Sequence, residues 1–293
     1  MITLILTGGG RHYDLERFFA SLEIVYFSGF NNVQLIFVNQ GDYTPRAKFN
    51  YLSLIDYIEI NTNKISLSNA RNIGLKMAVG EIIGFPDDDC WYSESVLNEI
   101  RLEFDKDLTV DAICTNVYDP IKGQSYGGRP VGVNLSVTFS NLFELPISVG
   151  IFLRKSSFAK AGFYFDESLG AGTILGSGEE TDLIYRLLKS RARVVYLGSI
   201  QVYHPVPNYS HQDIKKYYEY GLGFGFLNGK ILRDGQWRIL SNLLYVIFRS
   251  IIGCLIYIFN PIKCRLYWKR LVGISLGLLK GYKNSQIKSL NSN

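Results

Sequence analysis

The stretch Glu81-Ile82-Ile83-Gly84-Phe85-Pro86-Asp87-Asp88-Asp89-Cys90 decides how the chain folds. An apolar run of strand length ends in three consecutive carboxylates. A buried strand that closes on clustered acids puts negative charge at the carboxyl edge of a sheet, the edge where open α/β folds hold ligands. Adjacent carboxylates repel one another and need a cation, and oxygen-only ligands suit Mg2+ or Mn2+. The same acids also read as an Asp-rich turn capping a helix that starts near Ser93. The rest of the chain has to decide.

On both sides of that stretch, strand-like and helix-like segments alternate. Residues 2–6, 33–38, 57–60, 82–85 and 112–115 are apolar runs of strand length. Residues 15–26, 68–79 and 94–104 space their apolar side chains as helices do. The alternation predicts an α/β fold, a mostly parallel sheet flanked by helices. Residues 120–147, with Gly123, Gly127, Gly128, Pro130 and Gly132, read as a loop or short strands over a site. A strand at 148–153, a short helix at 155–161, an acidic helix Glu179–Lys189 and a strand at 193–196 follow. No internal repeat stands out, and low complexity is confined to the Asn/Ser/Lys-rich end after Gly281.

At 293 residues the chain can bury a substantial core. Its four cysteines, Cys90, Cys114, Cys254 and Cys264, form no C-x-x-C pair, and residues 2–6 are too short for a secretory leader. Reduced thiols in a cytoplasmic compartment are expected, with neither a disulfide framework nor a zinc site. The net charge of +5 conceals an asymmetry: residues 211–293 carry 13 Lys and Arg against 3 Asp and Glu, whereas residues 1–210 carry 18 against 23. A basic, aromatic, apolar tail on a slightly acidic body points to an anionic membrane surface or nucleic acid. Long apolar runs in the tail favour the membrane.

Residues 239–259 hold one charge, Arg249, at their middle. They are long enough to cross a bilayer, with the central Arg costing about 2.5–3.5 kcal/mol. A single span from a cytoplasmic body would put residues 260–293, with seven Lys and Arg and no acid, outside, against the positive-inside rule. A return span needs about 20 apolar residues, and residues 271–279 give nine. The tail is therefore expected to lie in the interface as amphipathic, peripheral or monotopic helices, with Tyr257, Tyr267 and Trp268 near headgroups. Lys263, Arg265, Lys269 and Arg270 would sit on anionic lipid. A buried pair of core helices is the alternative.

Three further stretches carry chemistry. In Ser66-Leu-Ser68-Asn-Ala-Arg71-Asn72-Ile-Gly74-Leu-Lys76, either serine can cap a helix whose first turn holds Arg71, an arrangement that suits a diphosphate or simply a surface arginine. In Gly176-Ser177-Gly178-Glu179-Glu180-Thr181-Asp182, Ser177 and Glu180 form a capping-box pattern, but three acids in four residues exceed what capping needs. In Val202-Tyr203-His204-Pro205, the imidazole reads as a packing residue or as an extra ligand for an ion held by acids. Gly8-Gly9-Gly10 is no dinucleotide fingerprint, Gly221-x-Gly223-x-Gly225 follows no strand, and no G-x-S-x-G, H-E-x-x-H or Walker motif occurs.

Taken in series, these stretches resemble the family-2 glycosyltransferases, inverting enzymes of the GT-A (Rossmann-like) fold, in particular bacterial members that build O-antigen or capsule repeat units. The matching stretches are Leu67-Ser-Asn-Ala-Arg-Asn-Ile-Gly74, Gly80 through Asp89, Phe165-Asp-Glu167, Gly178-Glu-Glu-Thr-Asp-Leu183 and Val202-Tyr-His204, in the expected order over residues 2–210. The resemblance implies a GT-A domain at 1–210 and a membrane-associating tail at 211–293. Asp87 and Asp89 fall on the outer acids of the D-x-D motif, which hold the ribose and a Mn2+ or Mg2+ ion, with His204 as a further metal ligand and Asp88 in the middle. Thr7, Asn39, Asp42, Arg71, Asp87 and Asp88 are placed on the donor, and Glu180 on the general base, with Glu179 and Asp182 beside it.

The implied donor is a UDP-hexose, UDP-glucose or UDP-galactose, and the implied acceptor a polyprenyl-diphosphate-linked sugar such as GlcNAc-diphospho-undecaprenol. The implied place is the cytoplasmic face of the bacterial inner membrane. The chain departs from the family's pattern in three places. Thr7-Gly8-Gly9-Gly10 replaces Pro-Thr-Tyr-Asn; Val38-Asn39-Gln40-Gly41-Asp42 replaces a strand ending in Asp; and the base position is Glu rather than Asp. The Gln-x-x-Arg-Trp motif of processive synthases is absent, which implies transfer of a single sugar. The competing readings are a sugar nucleotidyltransferase, of which Gly8-Gly9-Gly10-Arg11 is a partial echo, and a catalytically silent scaffold of a polysaccharide assembly complex.

Overall fold

The N-terminal apolar run forms β1 (Ile2–Gly8), buried on both faces as a central strand of a parallel sheet has to be. The computed structural model describes residues 1–206 and 214–283. His211, the boundary expected at residue 210 and the Asn/Ser/Lys-rich end from residue 284 lie outside them. The chain divides into two units.

The first unit comprises Met1–Thr138, Glu144–Tyr164 and Ile184–Pro207. After β1 it contains α1 (His12–Phe27), β2 (Val33–Asn39), β3 (Asp56–Asn61), α2 (Leu67–Leu75), β4 (Ile82–Gly84) and α3 (Val96–Lys106). Then come β5 (Ala112–Asp119), β6 (Gln124–Ser125), β7 (Asn134–Ser136), β8 (Ile151–Arg154) and α4 (Lys155–Lys160). Helix α5 (Glu179–Lys189) has its first turn in the second unit, and β9 (Val194–Tyr203) follows it.

The nine strands among the described residues join one sheet in the order β3-β2-β1-β4-β8-β5-β9-β7, with β6 on β5. Strands β3, β2, β1 and β4 are mutually parallel, as are β5 and β9. Strand β8 lies antiparallel between β4 and β5. The mostly parallel α/β sheet agrees with the expectation from alternation. Because β1, β2 and β4 run the same way, their carboxyl ends share one edge. Phe18, Phe19 and Leu22 of α1 bury against Leu4, Leu35, Phe37, Ile82 and Phe104, each such side chain worth about 1.5–3 kcal/mol of transfer free energy.

Two boundaries differ from expectation for physical reasons. The helix expected to run to Val79 ends at Leu75. The amides of Val79 and Gly80 are instead captured by Gln34 Oε1 at 3.0 Å and Thr3 Oγ1 at 2.8 Å, buried polar groups of the neighbouring strands. The strand expected from residue 148 starts at Ile151, because Ser148–Gly150 is a 3-10 turn. A Cβ on Gly150 would lie 2.8 Å from Thr115 Oγ1, so only glycine lets that turn press on β5. Within 120–147 the short strands β6 and β7 pair with β5 and β9.

The second unit comprises Phe139–Phe143, Phe165–Leu183 and Asn208–Asn293, and its helices are α6 (Ile214–Arg233), α7 (Leu240–Ile256) and α8 (Pro261–Tyr282). Helix α6 was not foreseen as an element of its own. Its Gly221, Gly225 and Gly229 recur every fourth residue and therefore share one face, as do Gly273, Gly277 and Gly281 on α8. These faces meet backbone to backbone. A Cβ on Gly225 would lie 2.2 Å from the Ile274 carbonyl oxygen, and one on Gly277 would lie 2.2 Å from that of Leu222. Gly221 meets Arg270 and Gly229 meets Leu278, so the two helices run parallel in a constant register. Leu222 and Leu227 of α6 close a small core with Leu169 and Leu175.

Candidate active site

The acid stretch leaves β4 at Gly84 and is pinned at two points. Asp87 pairs with Thr7 at the end of β1 in a parallel bridge, and Trp91 pairs with Tyr203 at the end of β9. The sheet edge thus brings Asp87, Asp88, Asp89, Thr7 and His204 together from three distant segments. Arg71, fully buried on α2, points Nη2 at Asp87 Oδ1 from 2.9 Å. Ser66 caps that helix by accepting from the amide of Asn69, which settles the choice between the two serines. Asp88 packs so closely on Gly8 that a Cβ there would fall 2.6 Å from it. The glycine triplet also lets the β1 and β2 loops touch, since a Cβ on Gly9 would lie 2.3 Å from the Gly41 amide nitrogen.

Arg11 is the residue that sequence reasoning missed here. Its guanidinium bridges Asp88 and Asp89 through two ion pairs. Arg17 adds a hydrogen bond of 2.9 Å to the Asp89 carbonyl and lies 3.9 Å over the Trp91 ring. Burial pushes the Asp88 carboxyl up, more than Arg11 pulls it down. Burial also pushes Asp89 up, but the combined pull of His204 and Arg11 outweighs it and holds this group at about 2. For His204 burial acts downward, yet Asp89, Asp87 and the Pro205 carbonyl leave the imidazole above its ordinary value.

The imidazole bears on the cation question. Its Nδ1 lies 2.8 Å from the Pro205 carbonyl oxygen, which only accepts, so Nδ1 carries a proton. Nε2, 3.0 Å from Asp89 Oδ1, then faces a carboxylate either as a second N–H or as a lone pair that needs a cation between them. Neighbouring ligands of a six-coordinate ion with bonds of about 2.1 Å lie about 3.0 Å apart. Asp89 and His204 therefore fit a shared Mg2+ or Mn2+. Among the described residues no three His, Cys, Asp or Glu side chains converge as a ready-made metal cage.

The other expected donor contacts lie along the same edge. Thr7 is buried and its Oγ1 has no hydrogen-bond partner among the described residues. Asn39 spends both amide hydrogens within the fold, on the Tyr43 carbonyl at 2.8 Å and Glu59 Oε1 at 3.0 Å, while its Oδ1 accepts from the Gly41 amide at 3.1 Å. Asp42 is exposed and paired with His12 Nε2 at 2.8 Å, a hydrogen bond that holds its carboxyl below the usual range. Glu59, also unforeseen, is the carboxylate beside Asn39. Its only signal was a charge interrupting the apolar strand Tyr57-Ile58-Glu59-Ile60.

In the second unit, the first turn of α5 carries Glu179, Glu180 and Asp182. The helix opens with the Asp182 amide donating to the Gly178 carbonyl at 2.8 Å. Gly178 is therefore the N-cap, and the expected pairing of Ser177 with Glu180 in a capping box is not made. Both glycines of the turn adopt left-handed φ, +68° at Gly176 and +97° at Gly178, which explains their presence. Asp182 is fully buried and accepts from Lys230 Nζ at 2.6 Å, and Lys230 is 3.9 Å from Asp166 Oδ2. Glu179 is buried, whereas Glu180 is half-buried and, among the described residues, accepts only from the neighbouring Thr181 hydroxyl at 3.1 Å. Of the three acids, Glu180 keeps a carboxylate available for chemistry. Lys230 carried no signal, because it sits on the helix that periodicity did not show.

The glycosyl transferase family 2 model matches residues 14–156. Among solved structures, the chain is similar to TarS of S. aureus in complex with UDP-GlcNAc, with a TM-score of 0.59 at 14% identity over 98% of this chain and 93% of that one. It is also similar to the mannosyltransferase PcManGT of Pyrobaculum calidifontis in complex with GDP-Man and Mn2+, with a TM-score of 0.62 at 13% identity over 97% and 88%. No curated protein matches it by sequence. At these identities the structural likeness is one of fold. The chain therefore has the GT-A fold, and its residues 14–156, which bring Arg71 and the three acids together, match the family-2 glycosyltransferases.

Proposed function

We propose that the enzyme is metal-dependent and inverting. In this reading it moves a single hexose from UDP-glucose or UDP-galactose to a lipid-linked sugar such as GlcNAc-diphospho-undecaprenol, in O-antigen or capsule assembly at the cytoplasmic face of the inner membrane. The observation that carries the reading is the pairing of Asp89 with His204 Nε2, 3.0 Å apart at the edge where Arg71 meets Asp87. The similar structures that hold UDP-GlcNAc and GDP-Man support a nucleotide-sugar donor. The basic, apolar tail supports an acceptor met at a membrane.

Departure of a nucleoside diphosphate leaves growing negative charge on the phosphates. Asp89, His204 and Asp87 would hold a Mn2+ or Mg2+ ion, which would supply Lewis-acid neutralisation of that charge. Arg71 presents a guanidinium already fixed by burial and by Asp87, so it needs little reorganisation to meet a phosphate oxygen. Thr7 offers an unspent hydroxyl beside Asp87. Inversion requires the acceptor hydroxyl to attack the face opposite the leaving diphosphate, and Glu180 takes its proton as the new bond to C1 forms. Such base assistance is typically worth about 10²–10⁴-fold. Lys230 neutralises Asp182 and holds the first turn of α5 so that Glu180 stays in place.

The test is UDP release. Membranes containing the protein, given a panel of UDP-sugars and a synthetic GlcNAc-diphospho-lipid, should release UDP only with Mn2+ or Mg2+ and acceptor both present. Formation of sugar 1-phosphate and nucleoside triphosphate exchange would instead reveal a nucleotidyltransferase. No turnover with any donor would leave the scaffold reading.

A further inference from the structure

We propose that the outward face of α7, with the turn after it, seats the protein in the plane of an anionic lipid bilayer and does not cross it. The choice of a bilayer builds on the membrane-borne acceptor proposed above, but the observation is independent: α7 is inside out. A helix of a water-exposed domain turns its apolar stripe to the core. Here the buried positions include Asn242, Ser250 and Gly253. Ser250 satisfies its hydroxyl on the Val246 carbonyl at 2.7 Å, and Gly253 lets the Tyr267 ring lie against the backbone, where a Cβ would fall 2.5 Å away. Leu244, Tyr245, Phe248, Ile251, Leu255 and Ile256 face outward, followed by Ile258 and Phe259, the last 98% exposed. Single exposed apolar residues are ordinary, but a continuous band of large ones marks an interaction surface.

The surrounding chemistry selects lipid. From Pro261 to the end the sequence carries seven Lys and Arg and no acid, complementary to anionic headgroups. Trp237 and Trp268 are both exposed, as tryptophans at a membrane–water boundary are. The α6–α8 contact through two glycine stripes is of the kind membrane helices use. It is already closed, and the apolar surface left over lies on α7 and on the side of α8 that carries Ile262, Trp268, Leu276 and Leu279.

The packing also decides the orientation. The segment Trp237–Ile256 is long and apolar enough to cross a membrane. However, Arg249 is exposed at its middle, and α8 packs on α7 through Tyr267. Driving α7 lengthwise into a bilayer would drag Lys263, Arg265, Lys269 and Arg270 of α8 with it, and α6 behind them. Lying flat, the band enters the acyl boundary while Arg249 and Lys263 reach up to headgroups along their aliphatic stems.

The full chain is mixed with sealed phosphatidylcholine vesicles, with and without phosphatidylglycerol. Phe248→Glu combined with Leu255→Glu should lower partitioning to both kinds at least tenfold, whereas Lys263→Gln combined with Arg265→Gln should weaken only the anionic ones. Leu244→Trp, Phe248→Trp and Leu255→Trp, which keep the band apolar, should be quenched equally by lipids brominated at one shallow depth. Undiminished vesicle binding by the double Glu variant overturns the proposal, and so does a depth graded from 244 to 255, the mark of a span. A lipid-free dimer that the Glu variant dissociates, with vesicle binding unchanged, would assign the face to a second copy and also overturn it. Because binding is read without turnover, a loss of transfer with binding intact counts against the proposed reaction and not against this surface.

Discussion

Arg11 and Lys230 were invisible in the sequence for the same reason: each matters through a carboxylate far along the chain. Arg11 reaches Asp88 and Asp89 across 77 and 78 residues, and Lys230 reaches Asp182 across 48. The three consecutive acids were legible because their clustering is local. With Arg11 on the acids, a divalent ion has a resident competitor. Arg11→Gln should therefore tighten Mn2+ binding several-fold in nucleotide-free protein, read by electron paramagnetic resonance. In the same series Asp89→Ala should abolish Mn2+-dependent UDP binding, and Asp88→Ala, whose carboxylate is buried against Gly8, should weaken it less. Equal, metal-independent UDP binding in all variants would remove the ion from the mechanism. Glu180 is the acid with a carboxylate to spare, so Glu180→Gln should leave UDP-sugar binding nearly intact and slow turnover by at least about 10²-fold. Near-normal turnover there, with a large loss in Glu179→Gln, would move the base by one residue.

At the scale of elements, legibility followed the source of each element's stability. Strands β1, β2 and β5 are buried on both faces, so unbroken apolar runs announced them. Helix α5 has an acidic first turn and a basic last one, and its bounds were read to the residue. The end of α2 was overshot, because Gln34 and Thr3 on other strands intercept the amides that would have continued it. Helix α6 fell within the tail expected to be helical but was not placed as an element of its own. Its partner face is made of glycines, which leave no apolar period to read, and the repeat at 221, 225 and 229 matters only once α8 supplies its own. This makes the sign of one substitution informative. Ala exceeds Gly in intrinsic helix propensity by about 1 kcal/mol, so Gly225→Ala on an open face would stabilise. On the zipper its Cβ meets the Ile274 carbonyl oxygen at 2.2 Å, and a helix backbone yields less readily than a side-chain tip. Gly225→Ala should thus lower stability by about 1–3 kcal/mol in denaturant unfolding, and a rise would refute the backbone contact.

Over the whole molecule, the segment that carries Glu180 keeps company with the C-terminal helices. Phe139–Phe143 and Phe165–Leu183 lie within the first 210 residues, yet they cluster with Asn208–Asn293. Leu169 and Leu175 bury against Leu222 and Leu227, and Lys230 of α6 is the partner of the buried Asp182 carboxylate. A buried carboxylate stripped of its cation typically costs about 3–5 kcal/mol, so removing the tail does more than release an anchor. A chain ending after Pro207 should lose membrane association and also turnover, even toward a short, water-soluble acceptor. It should still bind UDP with Mn2+, because Arg71, the three acids and His204 all belong to the first unit. Calorimetry of UDP binding beside a UDP-release assay on the soluble acceptor separates these effects. If the shortened chain turns the soluble acceptor over at the full-length rate, the tail is an anchor alone, and Lys230 has no part in holding the base.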